Sequence, residues 1–149
     1  MADPTGTMPD SSVGTASTAD PPTRTYVLDT SVLLATDLEP LEGELAISAA
    51  ALAELSFGVL VTTDAAVRAE RLRRLSGFQR RFTALPVDDA VAMSYGQLAA
   101  AVVVAGRQPR SRVMDLLIAA TAHAHSARLY TRNASDLTGI EQLVDIVSV

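Results

Sequence analysis

Short apolar runs alternate with longer segments of helical pattern along most of the chain. The apolar runs that predict β-strands are 25–29 (TYVLD), 45–48 (LAIS), 83–87 (TALPV), 128–133 (RLYTRN) and 142–149 (QLVDIVSV). Short runs without a polar alternation are typical of strands that are covered on both faces, as in parallel sheets. The pattern therefore predicts a mostly parallel sheet with buried faces.

The segments between these runs carry the signals of helices. We predict a helical turn at 30–35 and helices at 48–61, 63–82, 88–106 and 112–126. Ser48, Thr63 and Ser111 stand where side chains cap helix N-termini, and Gly106 marks a helix end. Residues 107–111 read as a loop. Strands that alternate with helices indicate an α/β sandwich with helices flanking the sheet.

The first 24 residues differ from the rest in composition. They are rich in Ser, Thr, Pro and Gly and show no apolar period, so residues 1–24 are predicted to be a disordered tail before a single domain at 25–149. Met8 is an alternative start of translation, and a regulatory role of the tail is the other interpretation. No basic start precedes an apolar segment, and no apolar run reaches the roughly 18 residues of a membrane span. We expect a cytoplasmic protein.

The amino-acid composition limits which metal sites and which functions the chain can have. The chain has no cysteine and only two histidines, His123 and His125, so any metal would be held by oxygen ligands, which favours Mg²⁺ or Mn²⁺. All 12 basic residues are arginine, which excludes functions that need a lysine. The net charge is −5, yet six arginines lie between residues 68 and 81. This run is either a phosphate-attracting surface or a solvated helix face.

Four acidic residues lie in apolar or strand-end settings. Asp29 ends the first apolar run, Glu54 is mid-helix among small and apolar residues, and Asp115 is the only charge within 113–122. Asp136 follows the strand predicted at 128–133. Each acid taken alone has a structural explanation, namely a cap, a helix edge, a helix start or a turn.

Taken together, two of these acids follow strands and two lie on helices that would pack at the same sheet edge. Ligands bind beyond the carboxyl ends of strands in open parallel sheets. Converging carboxylates repel each other unless a cation neutralises them. A site of this kind suits Mg²⁺ or Mn²⁺, and its usual chemistry is phosphoryl transfer with a metal-activated water.

Several segments, in this order, resemble one family. They are YVLDTSVLLA (26–35), ISAAALAELSFGVL (47–60) and RVMDLLIAATAHAHSARLYTRNASDL (112–137). With their four acids they resemble PIN-domain ribonucleases, and they are most similar to VapC-type toxins of bacterial toxin–antitoxin pairs. The resemblance covers residues 25–149.

The resemblance implies a role for each matching residue. The metal-binding and catalytic acids would be Asp29, Glu54, Asp115 and Asp136, with Asp29 and Asp115 as the most direct ligands of Mg²⁺ or Mn²⁺. The polar side chains that support the site would be Thr30, Ser31, Thr131 and Asn133. Arg112 stands where the family often carries a base, so it would contact an RNA phosphate. Asp88 and Asp89 are left outside the site, because helix N-termini favour acids in any case.

The resemblance also implies a fold, an activity and partners. The fold would be a PIN-like three-layer sandwich, and the activity metal-dependent cleavage of cellular RNA that inhibits growth. The toxin would form a homodimer and a complex with a VapB-type antitoxin, whose tail crosses a groove held by the hairpin 48–82. The alternative is a catalytically weak PIN-like module that binds protein or RNA. A receiver domain would need a lysine, and a dehalogenase-type phosphatase would need an acid where Ser31 stands.

Overall fold

A parallel sheet lies at the centre of the protein. The computed structural model describes Gly6 and residues 22–149. Within them, four short strands form one sheet in the order β2-β1-β3-β4, and every pair is parallel. The strands are β1 (Thr25–Leu28), β2 (Glu44–Ala46), β3 (Arg128–Thr131) and β4 (Ile146–Ser148). The predicted α/β sandwich with a parallel sheet is confirmed.

Helices connect the strands and flank the sheet. They are α1 (Thr30–Leu33), α2 (Ala49–Leu60), α3 (Ala65–Arg81), α4 (Asp89–Val104) and α5 (Val113–Ala124). Two 3₁₀ helices, Pro109–Arg112 and Ala134–Leu137, precede α5 and follow β3. Parallel strands require such crossover connections, because the chain must return from the end of one strand to the start of the next, at the opposite side of the sheet.

Helix α5 is the most deeply buried helix, and its N-terminus points to the site described below. Leu116, Ile118 and Ala119 are at most 1% exposed, and Ala120 and Ala122 are fully buried. Alanines on the buried face let the helix approach its neighbours closely, while the branched side chains fill the core at high density. The rigid packing of α5 holds its first turn in one place.

One predicted strand does not form. Within 83–87, only Leu85 makes a β-bridge, to Ser48, with hydrogen bonds that also involve Ile47 and Ala49. The next ladder bond would need the carbonyl of Ala49, which is already the first residue of α2, so the ladder cannot continue. The final strand is also shorter than predicted, since β4 occupies three residues.

Two of the predicted caps were wrong, and two helix signals were right. Asp64 caps α3 by accepting the N–H of Val67, so Thr63 is not the cap. Ser111 donates to the carbonyl of Gln108, directly before the first 3₁₀ helix, and this helix replaces much of the predicted loop at 107–111. Ser48 does cap α2 through the N–H of Ala51 at 3.0 Å, and α4 ends two residues before Gly106.

Three further sequence predictions concern the N-terminal tail, membrane-spanning segments and Asp88. The tail predicted at 1–24 lies outside the described residues, apart from Gly6 and residues 22–24. No helix among the described residues is both long enough and apolar enough to cross a bilayer. Asp88, which was left outside the site, caps α4 by accepting the N–H of Val91 at 3.0 Å.

Candidate active site

The first acid lies at the carboxyl edge of the sheet, between the two central strands. Asp29 follows β1 directly, and its backbone N–H donates to the carbonyl of Tyr130 in β3 at 3.0 Å. Its backbone carbonyl accepts the N–H groups of Val32 and Leu33 and so starts α1. The sheet and the short helix therefore fix the Asp29 backbone from both sides.

The Asp29 carboxylate is buried and accepts three hydrogen bonds. Its side chain caps α1, with Oδ1 accepting the N–H of Thr30 at 2.9 Å. Its Oδ2 accepts two hydroxyl groups, from Ser31 at 2.8 Å and from Thr131 at 2.8 Å. Three donors offset the cost of burying a charge that is only 8% exposed. Asp29 is thus both a helix cap and a fixed member of the site.

The hydroxyl groups are themselves held by the backbone after β3. The N–H of Arg132 donates to Ser31 Oγ at 3.0 Å, and the N–H of Asn133 donates to Thr131 Oγ1 at 3.0 Å. Asn133 therefore contributes its backbone to the site, and the residue itself is exposed. Sequence reasoning did not single out Arg132. Its position directly after a buried strand is the signal that could have identified it.

Glu54 extends the site from α2. Its Oε1 accepts the hydroxyl of Thr30 at 2.8 Å, which ties α2 to the start of α1. Burial raises the pKa of the Glu54 carboxyl above 4.5, the hydrogen bond from Thr30 opposes this, and the charges of Asp115 and Asp29 raise it further. The carboxylates of Glu54, Asp29 and Asp115 are therefore close enough to repel each other.

Asp115 lies in the first turn of α5 and interacts with every charge nearby. Burial raises the pKa of its carboxyl above 3.8, and the negative charge of Asp29 raises it further. The Arg112 guanidinium lowers this pKa, and Asp136 raises it. Asp115 therefore links Asp29 and Glu54 on one side to Arg112 and Asp136 on the other.

The fourth acid is paired with the predicted phosphate-binding arginine. Asp136 lies in the 3₁₀ helix after β3, and its Oδ2 is 3.0 Å from Arg112 Nη1. The same nitrogen is 3.7 Å from Asp115 Oδ2. The structure thus brings all four predicted acids to one region, with Arg112 between two of them.

The donor set has the chemistry of a site for a hard divalent cation. Carboxylate and hydroxyl oxygens are the ligands that Mg²⁺ and Mn²⁺ prefer, and burial, followed by the charge of neighbouring carboxylates, raises the pKa of Glu54 and of Asp115. Within residues 22–149, however, no three histidine or carboxylate side chains are arranged so that they could hold an ion as they stand. The residue types fit a cation, and their side-chain directions would have to change to bind one.

The arginine run of α3 is partly committed to contacts inside the protein. Helix α3 buries none of its residues completely, and three of its arginines donate to backbone carbonyls. Arg68 and Arg71 bind carbonyls at the end of α2, including Gly58 O at 2.9 Å from Arg71 Nη1. Arg74 Nη2 donates to Leu33 O at 2.8 Å, at the end of α1. Cations suit these positions because carbonyls are unpaired at helix C-termini.

We expect Arg74→Met to lower the free energy of unfolding by about 1–2 kcal/mol. The variant keeps the apolar stem but removes a charged donor from Leu33 O and from Ala35 O at 3.3 Å. Urea titration measures the change. Arg80→Met is the matched control on the same helix and should stay within about 0.5 kcal/mol, because Arg80 is exposed. Equal losses in both variants would contradict a specific role for Arg74.

Comparison with known proteins identifies the family. A sequence model of the PIN domain matches residues 26–135. Ribonuclease VapC5 of Mycobacterium tuberculosis is 36% identical over 113 residues, which are 72% of this chain and 82% of that protein. Ribonuclease VapC8 of the same species is 35% identical over 100 residues, which are 64% of this chain and 88% of that protein.

A solved structure agrees with this result. The crystal structure of VapBC-5 from M. tuberculosis, a member of the VapBC family of toxin–antitoxin systems, superimposes with a TM-score of 0.71. The two chains are 31% identical, and the match covers 84% of this chain and 97% of that chain. The chain belongs to the PIN-domain family and, within it, to the group of the VapC ribonucleases.

Proposed function

We propose that this protein is a metal-dependent endoribonuclease that acts as the toxin of a toxin–antitoxin pair. The observation that carries the proposal is the meeting of Asp29, Glu54 and Asp115 at the carboxyl edge of the sheet, in a chain whose relatives are named ribonucleases. Cleavage of cellular RNA would inhibit growth until an antitoxin neutralises the toxin.

The cation would be Mg²⁺ or Mn²⁺. Asp29 and Asp115 would hold it most directly, and Glu54 and Asp136 would complete the site, partly through water or a second ion. When bound, the cation supplies an activated water and stabilises the leaving oxygen of a phosphodiester.

The polar residues of the chain would prepare the carboxylates for this task. Hydroxyl groups of Ser31 and Thr131 hold Asp29 in one orientation, and the hydroxyl of Thr30 does the same for Glu54. Such support matters because activity depends on side-chain placement to within about half an ångström. Arg112 would contribute a positive charge for an RNA phosphate, since arginine matches phosphate geometry.

A groove beside the site suits a segment of an antitoxin. It lies between α2 and α3, has a volume of about 630 Å³ and carries Leu34, Leu55 and Val67 on its walls. It reaches Thr30 and Glu54, so a peptide lying in it would lead towards the acids. This geometry supports a VapB-type antitoxin as the partner and the hairpin of α2 and α3 as the element that holds it.

A homodimer stays a prediction. The exposed side of α4 carries Met93, Val103 and Val104, which are 71%, 59% and 88% exposed. A second copy of the chain would cover this apolar strip and remove it from water.

A second candidate function is a PIN-like module that binds protein or RNA without cleavage. One observation favours it, namely that no three acids among the described residues are arranged to hold an ion as they stand. The two functions predict different results when a carboxylate is removed. A nuclease would lose its effect on cell growth, whereas a binding module would keep it.

The test is to express wild type and Glu54→Gln in a bacterial host, with and without a candidate VapB-type antitoxin. We expect wild type alone to arrest growth, and co-expression of its cognate antitoxin to restore it. Purified wild type should cleave RNA with Mg²⁺ or Mn²⁺ and stop after chelation, and Glu54→Gln should be slower by at least about 10-fold. Equal growth with two soluble proteins would favour the binding module.

A further inference from the structure

Arg112 stands between two acids that come from different elements. It ends the 3₁₀ helix Pro109–Arg112, and Asp115 and Asp136 lie on α5 and on the second 3₁₀ helix. Its Nη1 is 3.0 Å from Asp136 Oδ2 and 3.7 Å from Asp115 Oδ2. One guanidinium nitrogen therefore serves as the shared counter-charge of both carboxylates.

The four acids are consequently held in two different ways. Hydroxyl groups orient Asp29 and Glu54 and leave them without a basic partner among the described residues. An arginine engages Asp115 and Asp136. The Oδ2 atoms of Asp115 and Asp136 face Arg112, and a cation bound by all four acids would need the same oxygens.

We propose that Arg112 is an internal competitor of the divalent cation. Binding of the cation displaces the guanidinium from Asp115 and Asp136, and the released guanidinium then faces solvent where a phosphate can meet it. The inference rests on the proposed function, because it concerns the same cation site.

The surroundings of Arg112 allow this exchange. Its side chain is 40% exposed, and those of Asp115 and Asp136 are 33% and 36% exposed. Ion pairs with this much solvent access are weak, so a divalent cation can replace the arginine at modest cost. The long arginine stem can turn outward without disturbing the packed part of α5.

Arg112→Met tests the competition, and Arg110→Met is the matched control. Arg110 lies in the same 3₁₀ helix, carries the same charge and is exposed. Affinity for Mn²⁺ alone is measured by calorimetry at pH 7.5. We expect Arg112→Met to bind Mn²⁺ about 3- to 10-fold tighter than wild type, the range for loss of a half-exposed ion pair. Arg110→Met should change the affinity less than about 2-fold, because distant exposed charges are screened.

A second variant and a second measurement keep the test independent of RNA cleavage. Arg112→Lys retains the charge without the planar fork and should bind Mn²⁺ with an affinity between those of wild type and Arg112→Met. Melting temperatures with and without Mn²⁺ should show the largest gain for Arg112→Met, because tighter binding stabilises the folded state more.

The outcomes separate this inference from the proposed function. Wild type that binds Mn²⁺ with the same affinity as Arg112→Met overturns the competition and leaves the nuclease proposal standing. Equal tightening in Arg112→Met and Arg110→Met also overturns it, because the effect would then be net charge. Absence of Mn²⁺ binding in every variant overturns both the competition and the proposed cation site.

Discussion

Asp115→Asn should lose RNA cleavage by at least about 100-fold and still be as stable as wild type or slightly more stable. The loss follows from removing a charged ligand of the proposed cation, which an amide replaces poorly. The retained stability follows from the position of Asp115, where burial and the charge of Asp29 raise its pKa above 3.8. The folded state disfavours the ionised form, so a neutral group of the same shape relieves a penalty.

The pH dependence of this effect has a defined sign. A carboxyl whose folded pKa is raised binds its proton more readily in the folded state, so its protonation favours folding. At neutral pH, the free energy of unfolding of wild type should therefore be lower than that of Asp115→Asn. This difference shrinks as the pH falls through the raised pKa of Asp115 towards the unfolded value of 3.8. Urea titrations at pH 7.5 and at lower pH measure this difference.

Asp89→Asn is the control for the loss of a carboxylate elsewhere. It lies in the first turn of α4, is exposed and should leave cleavage unchanged. Two results would contradict the assignment of Asp115. One is cleavage at the wild-type rate by Asp115→Asn, and the other is a loss of stability greater than about 1 kcal/mol, which lies outside the range expected for relief of a buried charge.

Asp29→Asn should lose activity to a similar extent and should also lose stability, by about 1–3 kcal/mol. Its carboxylate accepts hydrogen bonds from Thr30, Ser31 and Thr131, and hydrogen bonds to a charged group contribute more than neutral ones. An amide nitrogen at the position of Oδ2 would face two hydroxyl groups that now donate to it. Thr131 is fully buried, so this conflict cannot be relieved by water.

Urea titration of Asp29→Asn beside Asp115→Asn distinguishes the two acids. Both variants remove one negative charge from the same region, so each serves as the other's control for net charge. We expect only Asp29→Asn to unfold at lower urea. Equal stability of the two variants would show that the hydrogen bonds around Asp29 contribute little to folding. Wild-type cleavage by Asp29→Asn would remove it from the proposed cation site.

Local sequence signals predicted most of the fold. The run 25–29 predicted β1, Ser48 predicted the start of α2, and Gly106 predicted the end of α4, because a strand pattern, a cap and a glycine act within a few residues. The errors arose where two local signals competed. Thr63 and Asp64 are both good caps, and the structure uses Asp64. The run 83–87 is apolar, but its partner segment becomes α2 at Ala49, so it forms only one bridge.

The residue types of the site were also evident from the sequence. A chain without lysine or cysteine, with four acids in apolar settings, is restricted to oxygen-ligand chemistry. The arginine run was ambiguous because a basic helix face can meet solvent, a partner or the rest of the chain. Three of the six arginines, Arg68, Arg71 and Arg74, donate hydrogen bonds to carbonyls near helix ends. These three therefore contact the rest of the chain, and no local pattern could have predicted those contacts.

The sequence by itself determined the four acids, the absence of lysine and the chain order of the four strands and five α-helices that form within residues 22–149, although it also predicted a strand at 83–87 that does not form. Only the tertiary structure decided which side chains meet. Thr131 donates to Asp29 across 102 positions, Thr30 to Glu54 across 24, and Arg112 pairs with Asp136. Such pairings depend on how parallel strands align and on which rotamers the packed helices allow. Those are properties of the assembled sheet and helices rather than of any one segment.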